Sequence, residues 1–230
     1  MSGSPVRDSR LFPRQALSFS PPKALNNNRG FYIFVETETN GVSKPPIVQT
    51  PPMRAPFGIS TFTDDSGTEK HSIALSFEGS TDRVHDFFEL CEFLDCKIID
   101  HCHTYAWDVW PQAKAARKSI SRESIKDRYY SLVKPPTDHS YPATTRVKIQ
   151  ERYGSLPSFW SVKRERCNME DVPRGSTVQC LLELAPVFVN QQMISACWRL
   201  VQLLIKETPH DIAQVRYTPS DLVIEEEQFD

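Results

Sequence analysis

Glycine is scarce: there are 8 in 230 residues, and none stands in a loop built to cradle a phosphate. The patterns G-x-x-x-x-G-K-[ST], G-x-G-x-x-G and G-x-S-x-G are all absent, which removes the common routes to nucleotide-dependent and serine-hydrolase chemistry. Long apolar runs are missing too. The longest, near Leu200 to Ile205, is broken by Gln202 and falls short of the roughly 18 residues that a spanning helix needs. No membrane partner is therefore expected. The N-terminus has no apolar signal-peptide core, and Asp8 with the nearby prolines counts against a transit peptide despite Arg7, Arg10 and Arg14. The six cysteines form no C-x-x-C pair. They sit mostly in apolar-periodic segments of a chain long enough to build a core without disulfides, so reduced, buried thiols and an intracellular setting are expected.

Charge is present, but sorted. The net value of -2 hides a segment from Asp64 to Asp108 with 11 acids and 3 bases, and one from Gln112 to Arg166 with 13 bases and 5 acids. The last ten residues carry five acids and no base. Such sorting implies a surface that faces a polyanion and an acidic segment that competes with it.

Residues 1–29, rich in Ser, Pro, Arg and Asn, read as a flexible arm. A domain is expected over 30–206, and a flexible acidic tail over 207–230. Strands are expected over Phe31 to Val35, Ile47 to Thr50, Phe57 to Phe62 and Ser72 to Phe77. Asn40-Gly41 and Asp64-Asp65-Ser66-Gly67 supply turns. The period then changes: Val84, Phe87, Phe88, Cys91, Leu94, Ile98 and Cys102 recur every three or four residues, which predicts an amphipathic helix capped by Ser80 or Thr81. A second helix is predicted over Ser121 to Val133, ending before Pro135-Pro136. Together these form a helical insert over about 80–134. Strands return around Val147 and Ile149, then across a loop at Tyr153 to Pro157 into Phe159 to Arg164. Two long segments, Ser176 to Val189 and Met193 to Ile205, close the domain. This order predicts a mainly β fold: an OB-fold-like, five-stranded, partly open barrel with helices between its two strand groups. A β-sandwich with a helical excursion fits the same order.

Catalytic groupings are few. Cys91, Cys96, His101, Cys102 and His103 are zinc-ligand types, but they lie largely on one predicted helix and Cys91 and Cys102 continue its apolar stripe; core packing is the expected role, with no metal and no cofactor. Asp95 and Asp100 read as a solvated acidic helix face rather than an acid/base pair. Trp107, Trp110 and Trp198 read as packing residues.

The basic stretch interleaves its cations with rings, as proteins that hold single strands do: cations track phosphates while aromatic side chains stack on unpaired bases. Alternation around Val147 turns Arg146, Lys148 and Gln150 outward. Lys134, Arg152, Lys163 and Arg164 are further phosphate candidates, and Tyr153 and Phe159 are stacking candidates. Glu225, Glu226, Glu227 and Phe229 make the tail an acidic peptide with one aromatic near its tip.

Met53-Arg54-Ala55-Pro56-Phe57-Gly58, Arg174-Gly175-Ser176 and Trp198-Arg199-Leu200-Val201-Gln202, in this strand–helix–strand order, resemble the single-stranded DNA-binding proteins of large nucleocytoplasmic DNA viruses. These in turn are similar to the replication single-strand binder of short-tailed phages. The resemblance covers roughly residues 45–206 and the tail. It implies an OB-fold core, a homodimer, protection of unwound DNA in replication, recombination or repair, and localisation at a site of viral DNA replication in the host nucleus or cytoplasm. It also implies a tail that recruits DNA polymerase or other replication proteins. Arg54, Phe57 and Arg199 join the DNA-binding candidates through these motifs. Asp230 follows Phe229, whereas the phage pattern ends on the aromatic, and the N-terminal arm has no counterpart. The expected function is thus a non-catalytic binder of single-stranded DNA. The rivals are an RNA-binding or structural nucleoprotein and a Cys/His metal-dependent enzyme.

Overall fold

The computed structural model describes residues 7–25, 30–39, 41–79, 81–110, 119–138, 140–151 and 154–209. Five strands form its centre: β1 (Met53–Ala55), β2 (Glu69–Ser76), β3 (Thr144–Ile149), β4 (Ser176–Leu184) and β5 (Trp198–Glu207). Each pairs with two of the others. β1 lies against β2, β2 against β3, β3 against β5 in parallel, β5 against β4, and β4 returns to β1. The ring of ladders is closed, which satisfies the main-chain groups of these strands and makes an OB-like barrel.

Alternation decides which side chains fill it. Along β3, Thr145, Val147 and Ile149 are buried while Arg146 and Lys148 are exposed. Ile73 and Leu75 of β2, Val178, Cys180 and Leu182 of β4, and Trp198 and Leu200 of β5 complete the interior. The helix α1 (Asp82–Thr104) follows β2 and buries the predicted stripe, from Val84 and Phe87 to Ile98 and Cys102. Its Phe87 ring stands 6.0 Å from that of Trp198, so the helix docks on the barrel core. Thr81 takes the N-cap position, without a side-chain capping bond.

Four expectations change. The second helix is only Arg122–Lys126. Tyr129–Tyr130 instead pairs in parallel with Ile194–Ser195, because partners on α1 and on that strand outweigh the local periodicity. The two long closing segments are each split. After Leu184 the chain bends at Ala185-Pro186 into Val187–Val189, and before Trp198 it arrives from Ile194–Ser195; these outer pieces belong to a second sheet with Phe31–Ile33 and Lys23–Ala24. Ala185 N still donates to Cys197 O at 3.0 Å, so the two arms stay paired through the bend.

The predicted hairpin from β3 into Phe159 to Arg164 does not form. Ser158–Trp160 pairs in parallel with Gln202 to Leu204 of β5 and antiparallel with Arg166–Cys167, which leaves Lys163 and Arg164 at a turn. Lastly, Arg7 to Ala24 is docked rather than unpaired. Arg7–Asp8 lies beside Val48 and Gln49, Leu17–Phe19 pairs with Val35 to Thr37, and Phe12 is buried in the core.

Among the described residues, no helix is long and apolar enough to cross a membrane.

Candidate nucleic-acid interface

In an antiparallel ladder, directly opposed residues share a face. Lys148 stands opposite Ser72, Arg146 opposite Ala74 and Thr144 opposite Ser76, so the outer face of β2 and β3 has two cations rising over a floor of small side chains. Arg146 Nε donates to Ser72 Oγ at 3.2 Å, which holds its guanidinium along that floor. Arg54 joins the same face, since it opposes Ser76 from the other side.

One wall of this face is raised. After Tyr130 the chain runs through Ser131 to Lys134, whose main chain bridges Thr144 at the start of β3 through N–H···O contacts of 2.7 and 3.0 Å. Ser195, the ladder partner of Tyr130, continues the lining with Ala196 and Cys197. Here lies an open groove of about 540 Å³ whose lining includes Tyr130, Lys134, Arg146 and Lys148, with no carboxylate among the described residues that line it. Tyr130 is 62% exposed. Three of the sequence candidates, Lys134, Arg146 and Lys148, are therefore brought together by tertiary structure.

The wall is anchored from behind. Tyr129 OH donates to Asp95 Oδ1 at 2.5 Å, Ser131 Oγ donates to Asp95 Oδ2, and Leu132 N reaches both carboxylate oxygens at 3.1 Å. Asp95 is 8% exposed, which corrects its reading as part of a solvated face; Asp100 is exposed and accepts from Arg122 Nε at 2.7 Å. Burial pushes the Asp95 carboxyl above its ordinary range, against the downward pull of the Ser131 and Tyr129 hydroxyls and the backbone amides. Burial, and then the adjacent carboxylate, hold the Tyr129 hydroxyl well above its usual value, so it remains a donor.

A second cluster lies at the loop between β1 and β2. Phe57 is 57% exposed, and the Arg174 guanidinium sits 5.8 Å from its ring centroid while Arg174 Nε donates to Pro56 O at 3.2 Å. Gly58, at φ +62°, lets this loop run against Arg174: a Cβ there would meet the Arg174 main chain at 3.3 Å. Arg54 pairs with Glu78 at 3.2 Å on the exposed surface. Phe62, also exposed, shares the outer face with Lys70, which is paired to Asp64 at 2.8 Å.

The other candidates separate. Phe159 is 6% exposed and packs in the core, so stacking on a base is corrected to a structural role. Lys163 and Arg164 sit at the turn beyond Trp160 and do not line the groove. Arg199 adjoins Lys148 across the β3–β5 ladder but turns its guanidinium onto Glu183. Arg152, Tyr153 and the tail residues Glu225, Glu226, Glu227 and Phe229 lie outside the described residues. The Cys/His cluster is dispersed: Cys91 and Cys102 are buried in the core, and burial pushes the Cys102 thiol up to about 12 and Cys91 higher, away from the thiolate that zinc requires. His101 stacks on Phe19 and contacts Ser20 O at 3.0 Å, securing the N-terminal segment.

Tyr130, Arg174 and Phe62 are given no site role by the sequence, and Asp95 is read there only as a surface acid. Tyr130 was placed on a helix by its neighbours' spacing, and the partners that make it a groove residue are 34 to 65 positions away along the chain.

No family model matches the chain, and no curated protein matches it in sequence. Among solved structures it is similar to the single-stranded DNA-binding protein from bacteriophage Enc34, with 12% identity over 89% of this chain and 98% of that one, at a TM-score of 0.40. The same Enc34 protein in complex with single-stranded DNA gives 12% identity over 83% of this chain and 96% of that one, at 0.37. The single-stranded DNA binding protein gp2.5 encoded by bacteriophage T7 gives 14% identity over 73% of this chain and 94% of that one, at 0.45.

Proposed function

We propose that this chain is a non-catalytic single-stranded DNA-binding protein that acts in DNA replication, recombination or repair. The observation that carries this reading is the groove on the β2–β3 face, where Lys134, Arg146 and Lys148 meet the exposed ring of Tyr130 without a lining carboxylate. Cations in an acid-free concavity suit a phosphate backbone. The ring supports a single strand over a duplex. A tyrosine standing in solvent beside phosphate sites can stack on a base whose face is not covered by its neighbours, as in a single strand. In small barrels of this type, the same face and the loop after the first strand are where oligonucleotides lie, which adds Phe57, Arg54 and Arg174 at one end of the path.

The choice of DNA over RNA rests on the resemblance carried by residues 53–58, 174–176 and 198–202. In the same reading the protein is a homodimer. Its acidic tail, with Glu225, Glu226, Glu227 and Phe229, competes with DNA for the groove and recruits a DNA polymerase or another replication protein. Pro209, the last described residue, packs beside Gly175, next to Arg174.

Competition among oligo-dT, oligo-U and a duplex of equal length tests the proposal. Preferred binding of oligo-dT is the expected result. Equal or tighter binding of oligo-U would make the chain an RNA-binding or structural nucleoprotein, and duplex preference would remove the stacking role of Tyr130.

A further inference from the structure

The wall that presents Tyr130 has little main-chain support of its own. Tyr129–Tyr130 is a two-residue strand, paired among the described residues with Ile194–Ser195 alone, and the next main-chain anchorage there is the Lys134–Thr144 bridge. Between these points Leu132 is buried in the core, and among the described residues the hydrogen bonds to the wall from another element all come from one side chain. Asp95 of α1 accepts from Tyr129 OH, Ser131 Oγ and Leu132 N. The spacing of the two side-chain donors matters. Tyr129 and Ser131 both send their hydroxyls to the helix, while the Tyr130 ring between them is 62% exposed. A slip of one residue would exchange the two rings, putting Tyr130 on Asp95 and leaving Tyr129 exposed in its place.

A carboxylate is an expensive anchor. Burial of a charge is tolerated only where hydrogen bonds replace water. An apolar residue on the α1 stripe would pack against Leu132 and Ile125 without that cost, but it would not distinguish one register of the wall from the next. Hydrogen bonds to two hydroxyls and an amide do.

We propose that Asp95 is the positioning residue of the groove: by holding Tyr129, Ser131 and Leu132 it fixes the register that turns Tyr130 outward and delivers Lys134 to the start of β3. This inference rests on the single-strand reading above. Asp95 touches no nucleic acid itself, so its effect on binding must pass through Tyr130 and Lys134.

A double-mutant cycle on the full chain tests it, with affinity for labelled oligo-dT as the readout and a thermal melt of each variant as the fold control. Tyr130→Ala is expected to weaken binding roughly tenfold, within the range for loss of one stacked base. Asp95→Asn, which keeps the shape and removes the charge, is expected to weaken it by about fivefold. The double variant should bind within about twofold of Tyr130→Ala alone, because an already absent ring cannot be misplaced. Paired with Arg54→Ala, at the other end of the face, Asp95→Asn should act additively. A general loss of stability would not produce this contrast. Should Asp95→Asn fail to fold, Tyr129→Phe and Ser131→Ala each remove one donor, and the same non-additivity with Tyr130→Ala is expected of them. Wild-type binding with full additivity between Asp95 and Tyr130 overturns the positioning role alone. Absence of oligo-dT binding by the wild type overturns the groove assignment and this inference with it.

Discussion

Lys148 and Arg199 are register neighbours across the parallel β3–β5 ladder, yet they serve different ends. Lys148 is exposed over the groove. Arg199, with its side chain 20% exposed, places Nη1 3.4 Å from Oε1 of Glu183, which is 2% exposed and directly opposite on β4. With the Gln150 amide oriented to accept, Arg199 Nε also reaches that side-chain oxygen at 2.7 Å. Two adjacent cations in one outer row are thus divided: one faces the groove, the other is tied into the fold.

Lys148→Ala is expected to weaken oligo-dT binding and to lower the slope of log affinity against log salt by roughly 0.7, the single-strand value for one phosphate contact. Its melting behaviour should stay within about 0.5 kcal/mol of the wild type, as for an exposed residue without a structural partner. Unchanged affinity and slope would remove Lys148 from the phosphate path.

Arg199→Met should do the reverse. Leaving Glu183 buried without its arginine is expected to cost about 3 kcal/mol, the low end for a broken buried pair, since Arg199 retains some solvent. Denaturant unfolding measures this. A loss of binding with stability intact would return Arg199 to the groove.

Phe159→Ala should destabilise the fold by roughly 3 to 5 kcal/mol, the cost of a large cavity in a packed core. Tyr130→Ala should leave the fold nearly unaffected, because its ring is exposed. Comparing the two unfolding curves with the two affinities separates a core ring from a stacking ring.

Two acids should give opposite pH dependences. Burial raises the Asp95 carboxyl above its ordinary 3.8, so its contribution to stability is fully present below that value and is lost as pH rises through the folded pKa. The Lys70 ammonium, with Ser66 and Thr68, holds Asp64 well below 3.8, so its contribution is present above that value and lost as pH falls. Melts across the acid range should show the wild type losing stability relative to Asp95→Asn as pH rises, and gaining it relative to Asp64→Asn. The same trend in both comparisons would contradict the burial of Asp95.

Removing the acidic tail by truncation at Thr218 should tighten single-strand binding, because five acids no longer compete for the cationic face. Oligo-dT affinity of the two forms, measured at low and at physiological salt, checks this. Equal affinity at both would exclude competition.

The sequence by itself determined the parts of this protein that depend on local period and composition. Alternation at Val147 and Ile149 put Arg146 and Lys148 outside the barrel, because a pleated strand leaves no other choice once one face is apolar. The three- and four-residue spacing from Val84 to Cys102 determined α1 and its buried side, and the strand–helix–strand order fitted an OB-like barrel with a helical insert, though a β-sandwich fitted it too until the closed strand pairing separated them. Charge sorting along the chain marked the segment that supplies Lys134, Arg146 and Lys148. Only the tertiary structure decided what depends on distant partners. Residues 129–133 carry a helical spacing, but Asp95 and the strand at Ile194 draw them into an extended wall and turn Tyr130 out. Phe159 and Trp160 looked alike as rings until pairing with β5 buried Phe159. Arg199 and Lys148 looked alike as cations until Glu183 on β4 claimed Arg199. Periodicity specifies which face a residue takes; which partner meets it there depends on how strands far apart in the chain are paired, and only the folded structure holds that information.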